Sequence, residues 1–353
     1  MVALYRTYQF CILCNLFAVI RVLIAEGKPI TSVRIVPTEA MDLITSTENT
    51  PSDPEGDLRA KVETIHLLFD LSTNPDDIHF FLYNDPNNPN VSQELIFNDN
   101  KSFSRSLFNP QAKTVFLIHG FWTNGLSPMP TAIKNDPPNP LYAPVSYYAV
   151  VKRSIPLTFN RVSDFIRFML TSNYATIDNI HLIGFSLGAH VAGGVGRTIA
   201  TFPEIGKKLG RVTGLDPAGP LFSLVEIQGK LTKGDAEFVD TYHTAAGSLG
   251  ISNFTDGHVN FIVNEGHHQP GCVENKALYT TESQLGSCSH GFAPKIFAAS
   301  IAKNFTACNC SNVVTKTEGC QENCTVTVLA GERCPTSARG QFAFETSENP
   351  FAD

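Results

Sequence analysis

The sequence predicts an α/β fold, a mostly parallel central sheet flanked by helices. Three observations predict it. Short apolar runs alternate with an amphipathic run at the spacing of strand, crossover helix and strand. One of them, Thr114-Val115-Phe116-Leu117-Ile118, is apolar enough for a strand covered on both faces. A third run, Asn179 to Gly184, leads straight into Gly184-Phe185-Ser186-Leu187-Gly188 and then into a stretch of small residues, Ala189 to Gly194. A serine at the apex of such a strand-to-helix turn has a strained backbone and an exposed hydroxyl, and the two glycines let strand and helix cross closely.

In chain order, Arg6 precedes the apolar run Phe10 to Ala25, which ends before Glu26-Gly27-Lys28. Residues 1–25 therefore read as a secretory signal peptide removed near Ala25. The run is short for a membrane span and Arg21 interrupts it, so no transmembrane anchor is expected. Residues 26–60 are rich in Pro, Glu and Thr and form a polar lead-in. The folded domain is expected over residues 61–353. Ile78 to Tyr83 is a strand bounded by Asp, Asn and Pro. Thr114 to Ile118 is the next, running into His119-Gly120-Phe121-Trp122. Ser163 to Leu170 is helical, since Val162, Phe165, Ile166, Met169 and Leu170 recur at helical spacing. Arg211 to Leu215 and Ala236 to Thr241 are further strands, the first ending in Asp216-Pro217-Ala218-Gly219-Pro220.

Composition bounds the function. The chain has 353 residues, 42% of them hydrophobic, enough for a substantial core. Its formal charge is −7 and no Lys/Arg stripe occurs, which argues against nucleic acid as a partner. Seven of nine cysteines, Cys272, Cys288, Cys308, Cys310, Cys320, Cys324 and Cys334, lie in the last quarter. That clustering suits disulfides in an oxidising compartment, and the odd count leaves one thiol free or paired outside the chain.

A serine hydroxyl needs a base in hydrogen-bond reach, and the base needs an orienting carboxylate. Asp216 and Asp240 both end strands and both fit the acid, with Asp216 favoured by its Pro/Gly-fixed turn. His243, His258, His267, His268 and His290 are all available as base. Spacing alone leaves these choices open.

Taken in order, the segments Val115-Phe116-Leu117-Ile118-His119-Gly120-Phe121, His181 to His190, Gly214 to Phe222, Ala236 to Asp240, His268-Gln269-Pro270-Gly271-Cys272 and Cys288-Ser289-His290 resemble the pancreatic-lipase-like family of neutral lipases and phospholipases A1, in its secreted insect form. The resemblance implies an α/β-hydrolase fold with Ser186 as nucleophile, Asp216 as acid and His290 as base. It implies oxyanion-hole amides from Phe121 and Leu187, and a Cys272–Cys288 disulfide closing a lid loop, Val273 to Ser287, whose shortness is more like the phospholipase A1 members. It implies a secreted enzyme that cleaves carboxylic esters of lipids at a membrane or lipid interface, with no cofactor. A non-catalytic yolk-type storage protein on the same scaffold is the alternative.

Three departures stand out against that family. The family's further inner strand ending in Asp-Trp is not found between residues 125 and 155, so either Ser146 to Val151 substitutes for it or the sequence lacks a segment that a stable sheet needs. The acids of the family's calcium loop are largely replaced, Lys230 and Thr232 standing beside Asp235, so no metal site is expected. The C-terminal lipid-binding β-sandwich of mammalian relatives is not expected after residue 353.

Overall fold

The computed structural model describes residues 74–85, 87–88, 91–120, 150–222, 229–252, 254, 256–272, 287–309 and 324–352, together with the backbone of residues 8–14. An eleven-stranded sheet organises them. In chain order its strands are β1 (Tyr8–Cys14), β2 (His79–Tyr83), β3 (Gln93–Leu95), β4 (Lys113–Ile118), β5 (Ile180–Phe185), β6 (Arg211–Leu215), β7 (Phe238–His243), β8 (Val259–Val263), β9 (Phe305–Asn309), β10 (Thr327–Ala330) and β11 (Gly340–Phe344). The spatial order is β10-β9-β11-β8-β7-β6-β5-β4-β1-β2-β3. From β1 through β11 by way of β4 to β8 every pairing is parallel, while β2, β3, β9 and β10 add antiparallel margins. This is the mostly parallel α/β sheet expected from the sequence.

Helices cover both faces. α2 (Ile155–Thr171) follows the short α1 (Asn100–Arg105), and α3 (Leu187–Ile199) follows β5. α2 is longer than the expected Ser163–Leu170, but its buried residues Val162, Phe165, Ile166 and Met169 are those of the helical spacing. A proline opens its first turn, and Asn173 closes it in the left-handed region at φ 61°. The glycines of α3 let it lie close. A Cβ on Gly194 would fall 2.5 Å from the Phe159 ring of α2. Phe116 and Ile118 of β4 and Leu182 of β5 face α2 and α3, whereas Val115, Ile183 and Phe185 face the opposite core. That second core holds Phe292, Ile296 and Phe297 of α5 (Phe292–Ala302), which follows α4 (Ser287–His290). The period-two split of β4 and β5 is what burial on both faces demands.

The inner position next to β4 is filled, but not by residues 125–155. Residues 121–149 lie outside the described residues, and Val150–Ser154 form a π-helical turn leading into α2, so the described part of the expected substitute Ser146 to Val151 is not strand. The position belongs to β1, from the stretch read as a signal peptide. Five residue pairs join β1 to β4 in parallel, Tyr8↔Lys113 to Ile12↔Leu117, and five join it to β2 in antiparallel fashion, Phe10↔Tyr83 to Cys14↔His79. A backbone left without those partners in mid-sheet would leave ladder groups of both neighbours unpaired, which is why an apolar segment from elsewhere in the chain occupies the gap. Strands β9 to β11 were not foreseen either; Phe305, Phe342 and Phe344 extend the second core there.

Candidate active site

Parallel pairing places the ends of β4 to β8 side by side, and the residues just past those ends form the site. Gly184 pairs with Ile118, Phe185 with Leu215 and Leu215 with Tyr242. The residues that follow are Gly120, Ser186, Asp216 and Thr244, and they meet at one edge of the sheet.

Ser186 sits at φ 57°, ψ −122°, between the last residue of β5 and the first of α3. Its N–H donates to Leu215 O at 3.0 Å and its carbonyl accepts from Ala189 N at 3.1 Å, so the strained turn is held from both sides. A side chain at Gly184 would put Cβ 2.1 Å from Gly188 O, and one at Gly188 would put it 2.2 Å from Ile118 O. The two glycines of the motif are required by close approach. Gly120 lies against Ser186, where a Cβ would sit 2.8 Å from Ser186 Cβ and 3.3 Å from Ser186 Oγ. Leu187 is buried at the first position of α3. Its amide belongs to the first helical turn, where no intrahelical acceptor exists and the helix dipole favours a negative charge. Phe121 lies outside the described residues.

Asp216 is fully buried and held at φ 41°. One carboxylate oxygen, Oδ1, accepts from Thr244 N at 2.8 Å and Ala245 N at 3.2 Å. The other, Oδ2, meets His290 Nδ1 at 2.5 Å. Gly250 makes room for it, since a Cβ there would lie 2.6 Å from both oxygens. The His290 ring lies against the ring of Phe185, the residue before Ser186, with centroids 4.7 Å apart. The disulfide Cys272–Cys288 anchors the chain two residues before His290. Residues 273–286 of the expected lid lie outside the described residues.

The rival residues go elsewhere. Asp240 is buried in an ion pair with Arg211 Nη2 at 2.7 Å, and accepts from Thr213 Oγ1 at 2.6 Å and Tyr242 Oη at 3.2 Å. Arg211 opens β6 and Asp240 pairs with Thr213 in mid-strand, while Asp216 follows the end of β6, so this cluster lies back along the strands from Asp216. His258 precedes β8 and accepts from Val239 N at 3.0 Å. His267 bonds to Ala246 O, and His268 is exposed. His243 is buried at the end of β7 against Thr241, and burial pushes its ring down to about 4. His190 bonds to Ala218 O and Leu231 N, and His119 to Gly120 O; burial takes both down to about 4, so neither carries charge at neutral pH.

The calcium-loop positions do not fit a calcium ion. The Asp235 carboxylate is taken up by Arg197 Nη1 at 2.5 Å and by Thr232, and the Lys230 ammonium sits 2.8 Å from Asp256. Of the remaining cysteines, Cys308 pairs with Cys324, and Cys334 is a buried free thiol pushed up to about 12 by desolvation. Among the described residues no helix is long and apolar enough to cross a membrane.

Sequence reasoning missed the Thr244 and Ala245 amides that hold Asp216. The register signals them, since a residue just past β7 lies beside one just past β6. It also noted the His268-to-Cys272 motif without giving Gln269 a role.

A family model described as Lipase matches residues 47–348. Mouse lipoprotein lipase is 35% identical over 57% of this chain and 46% of its own. Rabbit hepatic triacylglycerol lipase is 32% identical over 70% of this chain and 54% of its own, and human phospholipase A1 member A is 35% identical over 54% and 42%. The chain thus spans about half the length of the curated relatives it matches. With most of its length inside the family model, the chain belongs to the lipase family.

Proposed function

We propose that this chain hydrolyses carboxylic esters of lipids, with Ser186 as nucleophile, His290 as general base and Asp216 as the carboxylate that orients it. The observation that carries the reading is the pairing of a buried Asp216–His290 contact with a serine held at φ 57° on the neighbouring strand end. His290 Nδ1 faces Asp216, which leaves Nε2 to take the Ser186 proton as Oγ attacks the ester carbonyl. The developing oxyanion is received by the Leu187 amide at the start of α3 and by the chain just past Gly120, where Phe121 follows. Each such donor contributes about 3–4 kcal/mol to the transition state in comparable sites. An acyl-enzyme forms, and water activated by His290 releases the fatty acid.

The two disulfides support an oxidising, extracellular setting, and the Cys272–Cys288 link closes the base of the segment expected as a lid. The substrate is a phospholipid acyl ester or an acylglycerol at a lipid interface. Labelling the folded protein with a fluorophosphonate tests the chemistry, and Ser186→Ala is expected to abolish the label. Fatty-acid release from phospholipid, galactolipid and triglyceride by one preparation then assigns the substrate. A folded protein that neither labels nor releases fatty acid supports the storage-protein alternative instead.

A further inference from the structure

Gln269 has no part in the chemistry above, yet it is 3% exposed and bonded in four directions around the site. Its side-chain Nε2 donates to Thr244 O at 3.0 Å and to Val263 O at 2.9 Å. Its Oε1 accepts from Asn264 Nδ2 at 2.8 Å, and its backbone N–H donates to Ser289 Oγ at 3.0 Å. Each destination matters. Thr244 presents the N–H that binds Asp216 Oδ1. Val263 is the last residue of β8. Asn264 stands at φ 45° and is itself locked to Thr346 through both side-chain atoms. Ser289 adjoins His290.

We propose that Gln269 is a positioning residue that ties the amide cradle of Asp216 to the helix carrying His290; this rests on the hydrolase reading of the site. Asp216 and His290 arrive from segments 74 residues apart, and their 2.5 Å contact survives only if the loop after β7 and helix α4 keep a fixed separation. Gln269 spans that separation, side chain to one and backbone to the other. The amide is the side chain that suits the place. Both groups facing Nε2 are carbonyl oxygens, so the atom must be a donor twice over, while the atom facing Asn264 must accept. Glutamate has nearly the same shape but would set a carboxylate oxygen against two carbonyls. A loosened bracket leaves substrate binding intact and misplaces the base, so its loss falls on kcat and spares KM.

Gln269→Glu and Ser289→Ala cut the bracket at its two ends, and the double variant closes a cycle. Turnover of a soluble short-chain ester is measured per active site titrated with fluorophosphonate, with melting followed by circular dichroism. The expected result is a kcat at least tenfold lower for Gln269→Glu and at least threefold lower for Ser289→Ala, KM within twofold for both, and a double variant no slower than Gln269→Glu. Should Gln269→Glu not fold, Ser289→Ala decides by the same criterion. Variants that melt earlier but turn over within twofold of wild type overturn the inference, as do losses that multiply in the double variant. A folded wild-type chain that does not turn over at all fails the hydrolase reading, a separate outcome.

Discussion

Removing residues 1–25 is the most consequential perturbation of this fold. That stretch has the pattern of a leader, yet its Tyr8–Cys14 segment is the inner strand between β4 and β2. The same residues cannot be discarded and also complete the sheet. Five residue pairs on each side correspond to about ten ladder hydrogen bonds, each contributing about 0.5–1.5 kcal/mol net. The loss is therefore on the order of 5–15 kcal/mol, as large as a typical domain stability of about 5–15 kcal/mol. What remains to hold β2 is its antiparallel pairing with β3 and its packing on α2, chiefly the Phe80–Phe165 stack at 3.7 Å. β4 leads into His119 and Gly120, so the same truncation exposes the strand that positions Gly120 against Ser186. The assay compares the full chain with one starting at Glu26, by thermal melting and by resistance to limited proteolysis. The truncated chain is expected to melt without a cooperative transition or at least 10 °C lower. A synthetic peptide covering residues 6–16 is expected to restore part of the difference. A truncated chain that melts within 2 °C of the full one refutes the reasoning.

The two buried aspartates separate function from stability. Asp216→Asn keeps acceptors for Thr244 and Ala245 but turns a donor toward His290 Nδ1, and steady-state kinetics are expected to show kcat down by about 10⁴ through the wrong tautomer. Asp240→Asn instead leaves Arg211 buried without its counter-charge, which costs about 3–5 kcal/mol in urea unfolding. Turnover per titrated site is expected to stay near wild type in that variant. The buried histidines set the acid limit of stability. His119, His190 and His243 are held down to about 4, against 6.5 when unfolded. Between those values the unfolded chain binds protons that the native one refuses, so stability falls as pH drops from about 6.5 and levels off near 4. Each histidine contributes on the order of 3 kcal/mol of that loss. Urea unfolding at pH 7, 5.5 and 4.5 checks it, and a flat stability across that range contradicts the burial of these rings.

The sequence by itself determined the fold class, the elbow and the places of most inner strands. Those features are local: apolar runs for strands buried on both faces, helical spacing in α2, and glycines whose Cβ would strike backbone at 2.1 to 2.2 Å. Which of two aspartates meets a histidine is not local. Both Asp216 and Asp240 end or nearly end apolar runs, and only the pairing of β6 with β7 puts one beside His290 and the other on Arg211. The filling of the inner position was equally out of reach, because an apolar run near the N-terminus reads alike as leader and as strand. Gln269 shows the same limit at one residue. The partners of its side chain and amide N–H come from three segments, and no spacing within His268 to Cys272 reveals that they converge. Local periodicity records what each segment can form, whereas long-range packing selects the partners that it meets.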